Sequence, residues 1–199
     1  MSAKARKHLQ SVDAKLYSYI ERITIPDFSK RQDSFTELCD TIISQQLSGK
    51  AATTIFERFK ALFPNKKITV DKLLKLSDEK IRSCGTSWAK VRSLKDLAQK
   101  VKDGKILLDS LENMSDDEVK AHLIQIKGIG PWSAEMFLMF SLGREDIFSF
   151  GDLGLKKGLM NVHGLKKEPT VKQIEKIVSK WSPHRTYASR VLWKSLELE

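Results

Sequence analysis

Residues 124–152, IQIKGIGPWSAEMFLMFSLGREDIFSFGD, decide how the rest of the chain is read. The stretch opens on a turn, Lys127-Gly128-Ile129-Gly130, set among apolar Ile124, Ile126 and Ile129. Two glycines one residue apart allow positive φ and the close approach of another chain. Pro131 suits the first position of a helix, where its missing N–H would be unpaired in any case. A helix is therefore expected over 131–142, with its first N–H groups directed back at the turn. Such a terminus is suited to a phosphate. Twenty residues beyond Trp132 stands Asp152, in a Gly151-Asp152-Leu153-Gly154 setting that reads as another helix start.

Outward from this stretch the chain reads as all-α, because no segment alternates apolar and polar residues for long enough to argue a strand. Leu9, Val12, Leu16, Tyr19, Ile20 and Ile23 fall on one face and predict a single helix from about Lys4 to Arg22. Ile25-Pro26-Asp27 ends it. A second helix is expected from Gln32 to Gln45, with Phe35, Leu38, Cys39 and Ile42 inward. The run Ser44 to Gly49, SQQLSG, interrupts the pattern, and Ser48 reads as the N-cap of a helix over 50–63. Ser77 begins a short helix that ends at Gly85, a C′ glycine. The helix from Ser87 to Lys102 buries Val91, Leu94, Leu97, Ala98 and Val101. Its other face carries Lys90, Arg92, Lys95, Lys100 and Lys102, the ordinary pattern of a solvated charged surface. Trp88 at its start reads as packing, with contact to a ligand the alternative. Ser115 to Glu118 is a capping box that feeds a helix into the turn. Thr170 caps a helix to Lys180, and Ser182-Pro183 opens the last one, with Tyr187, Val191, Leu192 and Leu196 inward.

The chain has 199 residues, 41% of them hydrophobic and 30% charged, an ordinary globular balance. Its formal net charge of +10 favours an anionic partner. A membrane surface is the rival, but no apolar run approaches the ~18 residues of a span. The basic N-terminus lacks the apolar stretch of a secretory signal. Two cysteines, Cys39 and Cys84, make neither a disulfide framework nor a four-cysteine metal site. The chain is read as intracellular and reduced, with Cys39 a small core residue.

Three stretches in order, SQQLSGKAA at 44–52, the KGIGPW turn with its downstream aspartate, and PHRTYAS..LW at 183–193, carry a resemblance. The chain resembles the helix–hairpin–helix (HhH-GPD) DNA glycosylases from about Phe35 to Trp193. Within them it looks closest to the alkylpurine, or 3-methyladenine, glycosylases. The resemblance implies two helical lobes with the active site in the cleft between them. One lobe would be residues 1–30 plus 143–199, and the other residues 31–142 with the hairpin at 124–131.

The resemblance also assigns candidate roles. Gln46, with Leu47 and Ser48 beside it, is the wedge that fills the gap left by an extruded nucleotide. The plain alternative has Gln45 and Gln46 on the surface and Leu47 packed inward. The hairpin, through Lys127, Gly128 and Gly130, would bind phosphate with no regard to sequence, and Lys156 and Lys157 would add charge. Carbonyls of Ile124, Ile126 and Ile129 would hold a monovalent cation, sodium or potassium; no other cofactor is required. Asp152 is the catalytic carboxylate, or else the cap of the following helix; the two are compatible. Many relatives carry two consecutive aspartates there, whereas this chain has Gly151 before Asp152, which leaves open a noncatalytic binder of abasic or damaged DNA. Trp132 stands where bifunctional relatives place a lysine, so the chemistry implied is hydrolysis without strand cleavage. Trp132 would stack on a cationic alkylated base or pack in the core; Met136, one turn on, would line the same pocket or pack in the core. No cysteine follows Cys84, which excludes the iron–sulfur subgroup. His184 and Arg185 would contact phosphate or the neighbouring lobe, while His122 and His163 read as surface residues. The partner implied is duplex DNA with an alkylated base, the protein acting as a monomer with no membrane, in bacterial cytoplasm or a eukaryotic nucleus.

Overall fold

The computed structural model describes residues 1–27 and 33–198; the expected start of the second helix at Gln32 lies outside them. Among the described residues the regular structure is entirely helical. The chain divides into two compact units, one of residues Met1–Lys30 and Leu138–Glu199, the other of Arg31–Phe137.

The first unit contains α1 (Ala3–Val12), α2 (Ala14–Ile20), α10 (Leu153–His163), α11 (Val171–Val178) and α12 (Arg185–Ser195). The single helix expected over residues 4–22 is broken at Asp13, whose φ of −152° is not helical. Its carboxylate accepts from the N–H of Leu16 at 3.0 Å and so caps α2. The apolar stripe keeps its period across the break, so periodicity alone cannot reveal it. Leu9, Leu16, Ile20, Leu155, Leu159 and Trp181 are among the buried residues of this core. α10 packs against α12, and the approach is close: a Cβ on Gly158 would stand 2.4 Å from the carbonyl oxygen of Leu192. Thr170 and Gln173 form a capping box at the start of α11.

The second unit holds α3 (Ser34–Ser44), α4 (Gly49–Ala61), α5 (Val70–Lys75), α6 (Asp78–Ser83), α7 (Trp88–Lys102) and α8 (Asp116–Leu123). α9 (Pro131–Phe140) begins in it, and the division falls within that helix. α7 packs against α3, α5 and α6. Its apolar face, Val91, Leu94, Leu97 and Ala98, is fully buried. Its other face is not simply solvated. The ammonium of Lys95 donates to the carbonyls of Leu73, Leu74 and Leu76 at the end of α5. Lys100 donates to Asp96 and to the carbonyl of Gln125. These lysines act as C-terminal caps for neighbouring helices, whose last carbonyls need partners. Gly85, at φ +102°, follows the end of α6 as a C′ residue. Cys39 and Cys84 are buried, and burial pushes the Cys39 thiol well up from its ordinary value.

Candidate active site

The loop after α3 is built rather than loose. The carbonyls of Ile43 and Gln45 both accept from the ammonium of Lys90, each at 2.8 Å. The carbonyl of Ser44 accepts from the N–H of Leu47 at 3.2 Å. Between these anchors Gln46 takes φ +58°, a left-handed conformation that costs a non-glycine residue on the order of 1–2 kcal/mol. Backbone strain of this kind persists only where its surroundings fix it. Gln46, Leu47 and Ser48 are exposed; Leu47, at 37%, does not pack inward. Ser48 stands at the N-cap of α4 but makes no side-chain capping bond. Gln45 is not a plain surface residue either. Its amide donates to the carbonyl of Gly128 at 2.8 Å and to the hydroxyl of Ser133 at 3.0 Å.

The hairpin is fixed from the other side by α7. The N–H of Lys127 donates to Asp96 at 2.7 Å, and Lys127 itself is exposed. Gly128 has φ +82°, and a Cβ there would lie 2.4 Å from the hydroxyl of Ser93. Gly130 has neither a positive φ nor a neighbour within 4 Å of an added Cβ, so only the first glycine of the pair is demanded by geometry. Ile126 and Ile129 are buried feet of the turn, whereas Ile124 is exposed. The N–H of Ile129 donates to the carbonyl of Ile126 at 3.0 Å. Burial raises the Asp96 carboxyl, but the ammonium of Lys100 and the N–H of Lys127 outweigh it and hold the group below its usual range.

Trp132, at the start of α9, is 45% exposed and is not a core residue. With Gln45, Gln46, Ser87, Lys90, Gly128 and Ser133 it lines a cavity of about 610 Å³. Met136 is half-buried. Trp88, expected to pack, is instead 48% exposed: as the first residue of α7 it lies off the buried stripe that starts at Val91.

Asp152 lies in the first unit and is 8% exposed. It caps α10, and its Oδ1 accepts from the N–H of Leu155 at 2.7 Å and from the indole N–H of Trp193 at 3.0 Å. A Cβ on Gly154 would crowd both partners, at 3.1 Å from that oxygen and 3.0 Å from Cδ1 of Trp193. Phe140 lies against Trp193, ring centroids 5.9 Å apart. Gly151 is exposed, with open space around an added Cβ.

Most of the remaining candidates are engaged inside their own unit. Lys156 pairs with Glu168 at 3.4 Å, and Lys157 is exposed. Arg185 grips Asp146 with two bonds, 2.7 and 2.9 Å. His184 is buried with its Nδ1 3.2 Å from Glu145. These contacts account for both residues as internal supports. His163, expected on the surface, is largely buried, 3.3 Å from Asp13 and stacked on Trp181. His122 accepts the N–H of Leu107 at 2.9 Å. Among the described residues no three His, Cys, Asp or Glu side chains are placed to hold a metal ion.

Sequence reasoning missed Trp193, Lys90, Gln45 and Asp96 as supports of the site. Trp193 carried a signal, since it closes the third matched stretch; Lys90 and Asp96 carried none, because a bracketing charge and a solvated one have the same helical spacing.

A helical fold with a Gly-Ile-Gly hairpin and an aspartate that caps the next helix defines a class, and comparison with known proteins gives the same class. The family model of the HhH-GPD superfamily base excision DNA repair proteins matches residues 39–184. The chain belongs to that superfamily. It is 35% identical to DNA-3-methyladenine glycosylase 1 of Schizosaccharomyces pombe, over 98% of this chain and 88% of the relative. The solved structure of the S. pombe 3-methyladenine DNA glycosylase in complex with abasic DNA superposes with a TM-score of 0.86, at 35% identity, covering 98% of this chain and 97% of that one. The DNA-3-methyladenine glycosidase of Bacillus halodurans matches with a TM-score of 0.84 at 33% identity, over 98% of this chain and 89% of that one.

Proposed function

We propose that this chain is a monofunctional DNA glycosylase that hydrolyses the N-glycosidic bond of alkylated purines, such as 3-methyladenine and 7-methylguanine, in duplex DNA and so initiates base excision repair. The observation that carries the reading is family membership across residues 39–184 together with an almost fully buried Asp152.

The chemistry follows from the residues. A base must leave the stack before its glycosidic bond can be attacked. Gln46, on its constrained and exposed loop, is the wedge proposed to hold the opened stack, flanked by Leu47 and Ser48. Phosphate would be met by the backbone at Gly128 and Gly130 and by the charge of Lys127, with Lys156 contributing if it exchanges Glu168 for phosphate. Trp132 offers an exposed indole on which a cationic purine can stack, with Met136 one turn further along the helix. As the C1′–N bond breaks, its electron pair leaves with the base, and positive charge develops on the sugar. An alkylated purine that starts cationic leaves neutral and needs no strong general acid. The carboxylate of Asp152, its plane set by two N–H donors, would stabilise the sugar cation and take the proton of the water that adds to C1′. With tryptophan rather than lysine at position 132, that position supplies no amine to attack C1′, so the product would be an abasic site in an uncut strand.

A sodium or potassium ion at the hairpin belongs to the same proposal. Main-chain carbonyls are hard oxygen donors suited to such ions. Ile124, Ile126 and Ile129 would supply them; the Ile126 oxygen already takes one N–H, and a carbonyl has a second lone pair. On this reading the protein works as a monomer beside the genome, in the cytoplasm of a bacterium or the nucleus of a eukaryote. No helix among the described residues is long and apolar enough to cross a membrane.

The test is release of free methylated purine from alkylated duplex DNA by the wild-type protein. Release without strand cleavage is expected. Tight binding to abasic duplex with no release would instead favour the noncatalytic binder that Gly151 leaves open.

A further inference from the structure

One side of α7 reaches both parts of the proposed DNA grip. Lys90 holds the end of α3, Ser93 backs Gly128, and Asp96 takes the N–H of Lys127. Residues three apart on a helix share a face, so one rigid rod sets the loop and the hairpin together. The link then continues through Gln45. Its carbonyl accepts from Lys90, and its side-chain amide donates to Gly128 and Ser133. Gln46 follows at once, in the strained φ that the bracket maintains.

Resting on the glycosylase reading above, we propose that Lys90 is a positioning residue: its ammonium clamps the carbonyls on either side of Ser44 and thereby aims Gln46 over the cavity shared with Trp132. The clamp is specific in kind. Two carbonyls 2.8 Å from one nitrogen require a donor with at least two hydrogens directed inward, which an ammonium supplies and a neutral apolar side chain does not. Lys90 also lines that cavity, so the clamp sits in the wall that it shapes. Burial lowers the Lys90 ammonium from its ordinary value, as withdrawal of a cation from water does. Lys95 makes the same kind of clamp on the end of α5 and not on the loop after α3, and serves as the internal control.

The experiment compares wild type with Lys90→Met, which keeps side-chain length and removes donors and charge, on methylated DNA offered as duplex and as single strand. A wedge matters only where a stack must be held open. Under single-turnover conditions Lys90→Met should lower release from duplex by roughly tenfold, since small displacements in a reacting complex are costly. Release from the single strand should change by less than about twofold, because no stack is opened there. Adding Lys90→Met to Gln46→Ala should cause no further duplex loss, because the side chain being aimed is already gone. Lys95→Met should lower thermal stability without selecting between the two substrates. Equal losses of release on both substrates, or no loss on duplex, would overturn the proposal. If thermal unfolding shows that Lys90→Met does not fold, Gln45→Glu reads the same linkage from its far end. It removes the donor to Gly128, and the same duplex-selective loss is required of it. If wild type releases no base from either substrate, the glycosylase reading fails by itself. The Lys90 proposal is then decided by affinity: Lys90→Met must lose preference for abasic over intact duplex, and an unchanged preference sinks it.

Discussion

Asp13 and Asp152 open helices of the same unit in the same way. Asp13 accepts the N–H of Leu16 and caps α2; Asp152 accepts the N–H of Leu155 and caps α10. Each carboxylate also takes an indole N–H from the last part of the chain, Trp181 at 2.8 Å onto Asp13 and Trp193 at 3.0 Å onto Asp152. They differ in how the donors are shared. At Asp13 the cap and the indole go to different oxygens, and His163 stands 3.3 Å from the second. At Asp152 the cap and the indole converge on one oxygen. A cap plus an indole is thus a way of anchoring a carboxylate and not in itself a sign of chemistry. What singles out Asp152 is its place in the chain, twenty residues beyond Trp132.

The comparison can be broken most directly at Asp152. Asn caps a helix about as well as Asp, so Asp152→Asn should keep the fold and DNA binding while base release falls by roughly a hundredfold to a thousandfold, the scale of losing a charge-stabilising group. Equal release by the two proteins, measured as free methylated purine, would leave Asp152 only its structural role. Next in size is Trp193→Phe, which keeps the ring and removes one donor. A hydrogen bond to a charged group is worth about 1.5–3 kcal/mol, so release should drop by about tenfold or more if all of it is used in the transition state. The thermal midpoint should also fall by a few degrees, because the same bond holds the folded carboxylate. Asp13→Ala should separate the two effects. Loss of a cap and a stranded indole N–H predict a destabilisation of about 2 kcal/mol in denaturant unfolding, with release from methylated DNA unchanged at a temperature where the variant is folded.

The smallest effect concerns acid. Burial raises the Asp13 carboxyl, but His163, the N–H of Leu16 and the indole of Trp181 together bring it below its ordinary value. A group depressed in the folded state contributes its full stability above the unfolded value, about 3.9 for Asp. That contribution is lost as pH falls through the folded value. The gap in unfolding free energy between wild type and Asp13→Ala should therefore be constant above about pH 5 and shrink below about pH 4. A gap that widens on acidification would reverse the assignment.

The fold was legible where local rules act alone. The capping box at Ser115 and Glu118, the Thr170 cap and the Gly85 C′ position follow from short-range geometry and stand where expected. The break at Asp13 was hidden because a helix of the same period resumes at once. Of the candidate site, Gln46, Trp132 and Asp152 were reached through matched stretches and not through their own surroundings. The supports were unreadable for a physical reason: Lys90, Asp96 and Gln45 act across 31 to 88 residues of separation, and mostly through backbone groups that every residue possesses. Trp88 was misjudged because an aromatic ring favours burial, although its register in α7, off the stripe that starts at Val91, marks it as exposed.

Gly158 makes the carboxylate answerable to a distant contact. Because α10 touches the main chain of α12 where that glycine has no side chain, the spacing between the two rods is as small as backbones permit. Asp152 rides on one rod and Trp193 on the other. Even one methyl group at position 158 would wedge them apart and draw the indole off the acid, so inherited change five residues beyond the start of α10 could silence the enzyme without touching nucleic acid at all.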